Sequence, residues 1–350
     1  MTEKTKIDLI AANLSGHGGT ETVIKYVLND ISIGEEVNFD VFLTGKASNA
    51  KWLKSASNLG SIEVLHSNNK VLKLLGSLWH YMWSKADVVL ALGTGQIVLA
   101  YIIRKIFRKK YKLVSWIHFS ILGISFINPR FLKYADYHLA ISSEIEEQLV
   151  QLGINRNRIS IIYNPVVKQE RQIKRKKDGV IKLIYVGRVD LVGQKNLKEM
   201  LDGLSQYEES WHLDIFGTGE TERVSKYAET LRMQEKITFH GWVDNVWGQL
   251  KEVDALLLTS TFEGLPMVLT EAVSRGIPCV AADCPVGPRD IIKNGVNGCL
   301  YQCGDLEGFL KALNSVVRNP DYKSIPMSID NLYGDRYNKR FVNALNSWTH

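Results

Sequence analysis

The sequence predicts an α/β protein with two doubly wound, Rossmann-like domains that face a central cleft. The chain has 350 residues, which fits about two domains of roughly 100–200 residues each. Short β-branched and apolar runs alternate with segments of helical spacing, a pattern typical of parallel sheets covered by helices on both faces. The alternation occurs twice, on either side of Asn164-Pro165 and the charged run that follows it. We therefore predict a first domain at 1–163, a linker at 164–179 and a second domain at 180–332.

The first domain is predicted to begin with a strand and to continue as strand–helix units. Apolar runs bounded by polar or turn residues indicate five strands. These are Ile7–Ala11, Phe39–Leu43, Val88–Ala91, Lys112–Ile117 and Tyr137–Ala140. Helical spacing is found at Thr20–Asn29, Ile97–Ile103 and Ser142–Leu152. The uncharged stretch from Val88 to Ile103 is too short and too interrupted by glycine to span a membrane.

The second domain repeats the alternation. Its predicted strands are Ile181–Val186, His212–Phe216, Ile237–Phe239, Ala255–Thr259 and Pro278–Ala281. Leu197–Ser205 and Pro266–Arg275 show helical spacing between them. Ligands of doubly wound sheets bind at the carboxyl ends of the strands. The residues that follow these strands are therefore the candidates for a functional site.

Composition indicates an ordinary soluble globular protein, with 45% hydrophobic and 23% charged residues. The N-terminal apolar run is too short for a signal peptide, so we expect a cytoplasmic protein. The four cysteines have C-x4-C and C-x3-C spacings and no histidine among them, which is a poor zinc signature. We interpret them as buried structural residues and expect no metal site. They are Cys279, Cys284, Cys299 and Cys303.

The formal net charge of +6 is unevenly distributed. One basic cluster covers Arg104–Lys112, directly after an apolar helix, and another covers Lys168–Lys177. A solvated surface and a linker would explain both clusters. The alternative for the first is contact with an anionic membrane, peripherally on its inner face, at about 1 kcal/mol per Lys or Arg. No nucleic-acid-binding motif accompanies the charge, so we expect no nucleic-acid partner.

A glycine-rich turn, Gly18-Gly19, leads from the first strand into a helix. Such a turn offers free N–H groups and the positive end of a helix dipole to a phosphate. The dinucleotide fingerprint G-x-G-x-x-G is not completed here, nor at Gly93-x-Gly95 or Gly217-x-Gly219. NAD binding therefore loses its main support.

Two cations follow the first strand of the second domain. Gly187-Arg188 comes directly after Ile181–Val186, and Lys195 opens the next helical segment. An arginine fork and a lysine point charge at one loop suit a diphosphate. In isolation the same residues are better explained as a surface arginine and a helix-start lysine.

The segment Phe262–Glu271 follows the strand Ala255–Thr259 and carries two glutamates spaced E-x7-E. Glu263 lies ahead of a helix, and Pro266 fits the first turn of that helix. Glu271 is predicted to lie roughly two turns further along. One carboxylate can then reach a sugar hydroxyl and the other a ribose, while free helix N–H groups face a phosphate.

With these residues in this order, and with Gly295-Val296-Asn297-Gly298 after them, the chain resembles the retaining GT-B glycosyltransferases of family four over nearly its whole length. Gly19–Val23, Gly264–Leu269 and Pro285-x-Gly287-Pro288 are similar to the lipopolysaccharide 1,6-galactosyltransferase branch. The resemblance implies a UDP-hexose donor, UDP-galactose or UDP-glucose. It also implies that the C-terminal segment 333–350 packs back on the first domain.

The resemblance assigns roles to individual residues. Arg188 and Lys195 would hold the diphosphate, Glu263 the donor sugar and Glu271 the ribose, while His118, after the strand Lys112–Ile117, would face the sugar. The remaining donor-binding positions form the phosphate cradle or lie near the base. They are Gly18, Gly19, Gly187, Val243, Gly264, Leu265, Met267 and Val268. The resemblance implies no cofactor besides the donor, and because the sequence contains no Asp-x-Asp motif, the two cations would replace a metal ion.

The sequence thus predicts a retaining, metal-independent hexosyltransferase that acts on a saccharide or lipid-linked glycan in surface polysaccharide or glycolipid synthesis. Two alternatives are a sugar-nucleotide epimerase of similar fold and a non-catalytic nucleotide-binding subunit of a partner enzyme. The E-x7-E pair favours transfer over epimerisation, and the intact set of charged residues argues against a degenerate subunit. The acceptor cannot be predicted from the loops Gly45–Lys70 and Phe119–Arg130.

Overall fold

The structure, a computed structural model, describes residues 4–12, 14, 18–45, 51–67, 69–175, 179–318 and 325–349. The chain divides into two compact units. The first contains Met1–Pro165 together with Asp335–His350, and the second contains Val166–Gly334. Each unit is built on its own parallel sheet.

The first unit has a seven-stranded sheet of order β3-β2-β1-β4-β5-β6-β7, and every described pair is parallel. The strands are β1 (Thr5–Ala11), β2 (Val37–Leu43), β3 (Leu59–Val64), β4 (Val88–Ala91), β5 (Lys112–Trp116), β6 (Tyr137–Ala140) and β7 (Ile159–Ile161). The helices are α1 (Gly19–Asn29), α2 (Ile31–Glu36), α3 (Lys51–Lys54), α4 (Lys70–Trp83), α5 (Thr94–Ile106) and α6 (Ser143–Gln151), with 3-10 turns at Pro129–Tyr134 and Arg156–Arg158.

The second unit has a six-stranded parallel sheet of order β10-β9-β8-β11-β12-β13. The strands are β8 (Ile181–Val186), β9 (Trp211–Phe216), β10 (Ile237–Gly241), β11 (Ala255–Leu258), β12 (Cys279–Ala282) and β13 (Gly298–Tyr301). The helices are α7 (Leu197–Ser205), α8 (Thr221–Thr230), α9 (Val246–Gln249), α10 (Met267–Ser274), α11 (Pro288–Ile291) and α12 (Leu306–Arg318), with 3-10 turns at Gln234–Lys236 and Ile325–Leu332.

The final helix, α13 (Gly334–Thr349), packs on the first unit. The ring of Phe341 lies 5.8 Å from that of Trp116 and 6.5 Å from that of Phe39. Trp348 stacks on Tyr137 with ring centroids 4.6 Å apart. Aromatic pairs at such distances contribute beyond their buried area, so this helix is part of the first unit's core.

Central strands of both sheets are buried on both faces, as continuous apolar runs predict. Every residue of β4, β11 and β12 is buried. The strand order reverses between β1 and β4 in the first sheet and between β8 and β11 in the second. Loops at such a switch point diverge and leave a crevice at the carboxyl ends of the strands.

Several elements differ from the sequence prediction. The strands β3, β7 and β13 were not predicted; β3 contains a glycine, β7 has three residues, and β13 begins at Gly298. Helix α10 starts at Met267, with Pro266 as its N-cap. Glu271 is therefore about one turn into the helix, because a turn takes 3.6 residues.

The predicted linker 164–179 also contributes to the second unit. Ile173 is buried, and its N–H donates to the carbonyl of Arg275 at 2.8 Å. Lys174 forms an isolated parallel bridge with Glu252. Residues 176–178 of this segment lie outside the described residues.

Candidate active site

The loops that follow β8 and β11 are bound to each other at the switch point of the second sheet. The hydroxyl of Thr259 donates to the carbonyls of Lys195 at 3.1 Å and Asn196 at 3.0 Å. The amide of Gln194 donates to the carbonyl of Phe262 at 3.1 Å. The side chains of Thr259 and Gln194, which are not candidate site residues, thus hold the two loops together.

Lys195 and Glu263 form an ion pair across these two loops. Nζ of Lys195 donates to Oε1 of Glu263 at 2.7 Å, and their side chains are 17% and 8% exposed. A largely buried pair is rigid, and removal of one partner leaves an uncompensated charge. An ammonium has three donors, and Oε2 of Glu263 accepts no hydrogen bond from the described residues. Both groups can therefore bind a ligand without breaking the pair.

Arg188 lies on the same loop but is open to solvent, with its side chain 60% exposed. Its Nη2 donates to Oε1 of Gln194 at 3.0 Å and lies 3.8 Å from Oδ2 of Asp190. The hydroxyl of Tyr185 donates to the Arg188 carbonyl at 2.6 Å and fixes the backbone. Most of the five guanidinium donors remain available to an anion.

Glu271 belongs to α10, and its surroundings differ from those of Glu263. The indole N–H of Trp247 donates to Oε2 of Glu271 at 3.0 Å, and the guanidinium of Arg275 lies 4.9 Å from the Trp247 ring centroid. Burial raises the pKa of Glu271, while the Trp247 hydrogen bond and the charge of Arg275 oppose the rise. Trp247 was missed by the sequence analysis, because a tryptophan in a short polar segment gives no signal of its partner.

Two glycines let these loops approach closely. A Cβ on Gly217 would lie 1.8 Å from the carbonyl oxygen of Gly187. Gly287 has φ +97°, and a Cβ there would lie 2.3 Å from the carbonyl oxygen of Gly264. No larger residue fits at either position. Gly217-x-Gly219, which fails as a dinucleotide fingerprint, therefore has a different function: it lets the loop after β9 approach the loop after β8.

The remaining donor-binding candidates of the second unit lie around these loops. Gly264 and Leu265 are buried, and Met267 and Val268 open α10, whose N-cap Pro266 provides no side-chain hydrogen bond. The first N–H groups of such a helix are available to an anion. Val243 follows β10, two strands from β8, at the same edge of the sheet.

In the first unit, Gly18 is the N-cap of α1 and Gly19 its first residue, again without a side-chain cap. The residues 15–17 of this predicted phosphate loop lie outside the described residues. In the described part of the turn, helix α1 therefore begins after β1 without a side-chain cap.

His118 follows β5, whose last residue is Trp116 rather than the predicted Ile117. The imidazole is buried against Trp116, with ring centroids 4.6 Å apart, and its Nε2 has no hydrogen-bond partner in the described parts of the chain. Burial lowers the pKa of His118 to about 3, so the ring is neutral at physiological pH. A buried polar nitrogen without a partner is unfavourable unless a ligand satisfies it.

The cysteines show no sign of ligand chemistry. Cys279 and Cys284 are buried, and burial raises the pKa of Cys284 to about 12. Metals bind the thiolate form. Over the described ranges, no group of three or more His, Cys, Asp or Glu side chains could hold a metal ion.

The family model for glycosyl transferases group 1 matches residues 166–327. The lipopolysaccharide 1,6-galactosyltransferase of Escherichia coli strain K12 is 36% identical over 351 aligned residues, which cover 96% of each chain. The solved structure of the lipopolysaccharide outer core galactosyltransferase WaaB in its apo form superposes with a TM-score of 0.87 at 34% identity, covering 98% of this chain and 100% of that one. Anabaena Alr3699/HepE, solved with UDP-glucose, shares the fold with a TM-score of 0.77 at 18% identity and covers 98% of this chain and 99% of its own.

Proposed function

This chain belongs to the group 1 glycosyl transferases and is a two-domain glycosyltransferase of the GT-B fold, and we propose that it transfers galactose from UDP-galactose to the outer core of a lipopolysaccharide with retention of anomeric configuration. The galactose and the acceptor class are taken from the names of its relatives in E. coli and among solved structures. UDP-glucose is the alternative donor.

The observation that carries the proposal is the ion pair of Lys195 and Glu263 beside Arg188, at the switch point between β8 and β11. Cleavage of the bond between sugar and phosphate develops negative charge on the departing UDP. Cations held in place before the reaction stabilise that charge without reorganisation. Glu263 holds Lys195 in position, and Arg188 supplies an accessible fork for a second phosphate oxygen.

The two carboxylates have separate roles in this proposal. Glu263 uses Oε1 for Lys195, and its Oε2 accepts a hydroxyl of the donor sugar. Glu271 uses Oε2 for Trp247, and its Oε1 accepts the ribose hydroxyls. The sugar is thus bound next to the cations, where the reaction takes place, while the ribose is bound on α10.

His118 serves the sugar as a neutral group. With a pKa near 3, it contributes a hydrogen bond and no charge. A neutral donor or acceptor suits a sugar hydroxyl, because a positive charge on His118 would disfavour the positive charge that develops on the sugar ring.

We further propose that the transfer needs no metal ion, since Arg188 and Lys195 neutralise the diphosphate themselves. Attack by the acceptor hydroxyl takes place on the face from which UDP leaves. The acceptor O–H bond breaks as the new bond to the anomeric carbon forms, and the proton passes to the leaving phosphate oxygen. The acceptor is a lipid-linked saccharide, so we place the enzyme in the cytoplasm, at the inner face of a membrane.

The test is UDP release and sugar transfer with UDP-galactose or UDP-glucose, each with and without a lipopolysaccharide acceptor that lacks the outer-core galactose. We expect acceptor-dependent UDP release, equal in amount to the galactose transferred. Interconversion of the two UDP-sugars without acceptor would instead indicate an epimerase. Binding of UDP without either reaction would indicate a non-catalytic subunit.

A further inference from the structure

Helix α4 presents its large apolar side chains to solvent. The spacing Leu72, Leu75, Trp79 and Trp83 places them on one helical face, and the tryptophans are 61% and 63% exposed. The exposed apolar residues of α4 are Val71, Leu72, Leu74, Leu75, Trp79 and Trp83. Half-buried helices normally turn their apolar face inward, so this exposure calls for an explanation.

The inward face of α4 is held by polar contacts instead. His80 bonds to Glu63 at 2.9 Å and to Asp8 at 3.2 Å, and it stacks on Phe42 with ring centroids 4.0 Å apart. The hydroxyl of Tyr81 donates to Gln96 at 2.8 Å. The helix is therefore anchored through its inward side, and its outward apolar side chains are left exposed.

The same surface continues onto the C-terminal end of α5. Ile102, Ile106 and Phe107 are exposed there, and α4 and α5 together line a groove of about 420 Å³. Nζ of Lys109 donates to the carbonyl of Ser84, directly after α4, at 2.9 Å. We call the exposed apolar residues of α4 with these three the α4–α5 surface. It holds half of the exposed large apolar side chains among the described residues.

A cavity of about 610 Å³ next to this surface is lined by the basic cluster 104–112, with Asp136 as its one carboxylate. The cluster is not uniform, since Arg104 has a structural role: its Nη2 donates to Oδ1 of Asp136 at 2.9 Å. Lys105, Arg108 and Lys110 are exposed, and no carboxylate of the described chain pairs with them. These three cations can therefore bind anions.

We propose that the α4–α5 surface docks on an anionic lipid bilayer, with Trp79 and Trp83 at the interface and Lys105, Arg108 and Lys110 on the lipid phosphates. Tryptophan is favoured at the level of the head groups, and basic residues beside an apolar helix face are typical of helices that lie in the interface. No described helix has the length and apolar character needed to cross a membrane. Interleaved cations favour a bilayer over a protein partner, since protein interfaces are depleted of lysine at their core.

This docking is separate from the transfer reaction, because none of the proposed site residues belongs to the surface. Binding is measured by flotation with vesicles of phosphatidylcholine alone and of phosphatidylcholine with one third phosphatidylglycerol. We expect binding to the anionic vesicles. Each removed charge should reduce partitioning roughly fivefold, so the variant Lys105→Gln/Arg108→Gln/Lys110→Gln should lose on the order of a hundredfold.

The variant Trp79→Ser/Trp83→Ser tests the apolar part and should bind at least about tenfold more weakly. Ile31→Ser is the matched control, since Ile31 is a 79% exposed apolar residue on α2 of the same unit; it should bind like the wild type. UDP release with a lipid-free acceptor saccharide should remain unchanged in all these variants, which separates docking from catalysis.

Three results would overturn the proposal. One is equal binding to neutral and anionic vesicles, and another is undiminished binding of the variants. The third is a dimer in light scattering that Trp79→Ser/Trp83→Ser abolishes, since the surface would then bind a second copy of the chain.

Discussion

The loops at the carboxyl ends of the strands differ in charge between the two sheets. In the second unit, the loops after β8 and β11 hold a buried ion pair, Lys195 with Glu263, and an exposed arginine. In the first unit, the loop after β5 holds one buried neutral imidazole, His118, whose Nε2 has no partner in the described chain. We propose that the charges of the second unit bind a phosphate, and that the imidazole of the first unit offers a neutral hydrogen bond.

The largest effect is expected at Lys195. Lys195→Ala removes a cation whose interaction grows as charge develops on the phosphate, so kcat should fall by about 10² to 10³. Lys198→Ala is the matched control, because Lys198 pairs with Asp202 on the outside of α7 and its side chain is 44% exposed. If both variants retained wild-type kcat, the Lys195–Glu263 pair would not be the site of phosphate stabilisation.

Glu263→Gln keeps the shape of the side chain but removes the charge that orients Lys195. We expect kcat to fall by about 10- to 100-fold, with the affinity for free UDP changed less, because Glu263 is proposed to act on the sugar and on Lys195. Steady-state kinetics beside calorimetric titration with UDP would show this. Glu252→Gln, at the surface pair with Lys182, should leave both values unchanged.

Glu271→Ala should mainly weaken nucleotide binding. The ribose is bound equally in the ground state and the transition state, and uniform binding appears in KM rather than in kcat. Loss of a hydrogen bond to a charged group should raise the Kd of UDP by about tenfold. An unchanged UDP affinity here, with a lost affinity in Glu263→Ala, would show that the two carboxylates have the reverse roles.

The proposed role of His118 can be tested by comparison with a second buried histidine. His138 also has its pKa lowered to about 3 by burial, and its Nε2 likewise has no partner in the described chain, but its Nδ1 bonds to the hydroxyl of Ser115 at 2.7 Å within the sheet. His118→Gln should lower transfer by about tenfold, whereas a folded His138→Gln should transfer at the wild-type rate. Equal activity of the two variants would make His118 a core residue only.

Both histidines affect stability in the same direction. Their folded-state pKa of about 3 lies below the ordinary value of 6.5, so between those pH values the unfolded chain binds protons that the native chain does not. The part of the free energy of unfolding that the neutral histidines contribute above pH 6.5 is therefore lost as the pH falls toward 3. Denaturant titrations of either glutamine variant should show a shallower decline over this range.

The smallest effect is expected from chelation. Transfer should continue in excess chelator at the untreated rate, because Arg188 and Lys195 are proposed to stabilise the diphosphate without a metal ion. A requirement for added magnesium or manganese would contradict that assignment.

The sequence predicted the two sheets because their central strands are continuous apolar runs, which depend little on tertiary context. It also named Arg188, Lys195, Glu263 and Glu271 individually, since each follows a recognisable strand. It could not predict that Lys195 and Glu263 form a pair, because a contact across 68 residues depends on how two loops are packed. Nor could it place Trp247 on Glu271, for the same reason.

Two further features could not be predicted, because one depends on how closely two backbone segments approach and the other on which face of a helix is buried. The role of Gly217 is visible only where the backbone of Gly187 approaches it. The outward apolar face of α4 could not be distinguished by periodicity from an ordinary buried face, since periodicity shows that a helix has two faces and not which one is buried.

A crystal structure of the UDP complex would test the account most directly. We predict diphosphate oxygens at about 2.7–3.1 Å from Nζ of Lys195 and from the guanidinium of Arg188, and ribose hydroxyls on Glu271. Diphosphate bound away from both cations, with the Lys195–Glu263 pair making no contact to the nucleotide, would contradict the proposed donor site.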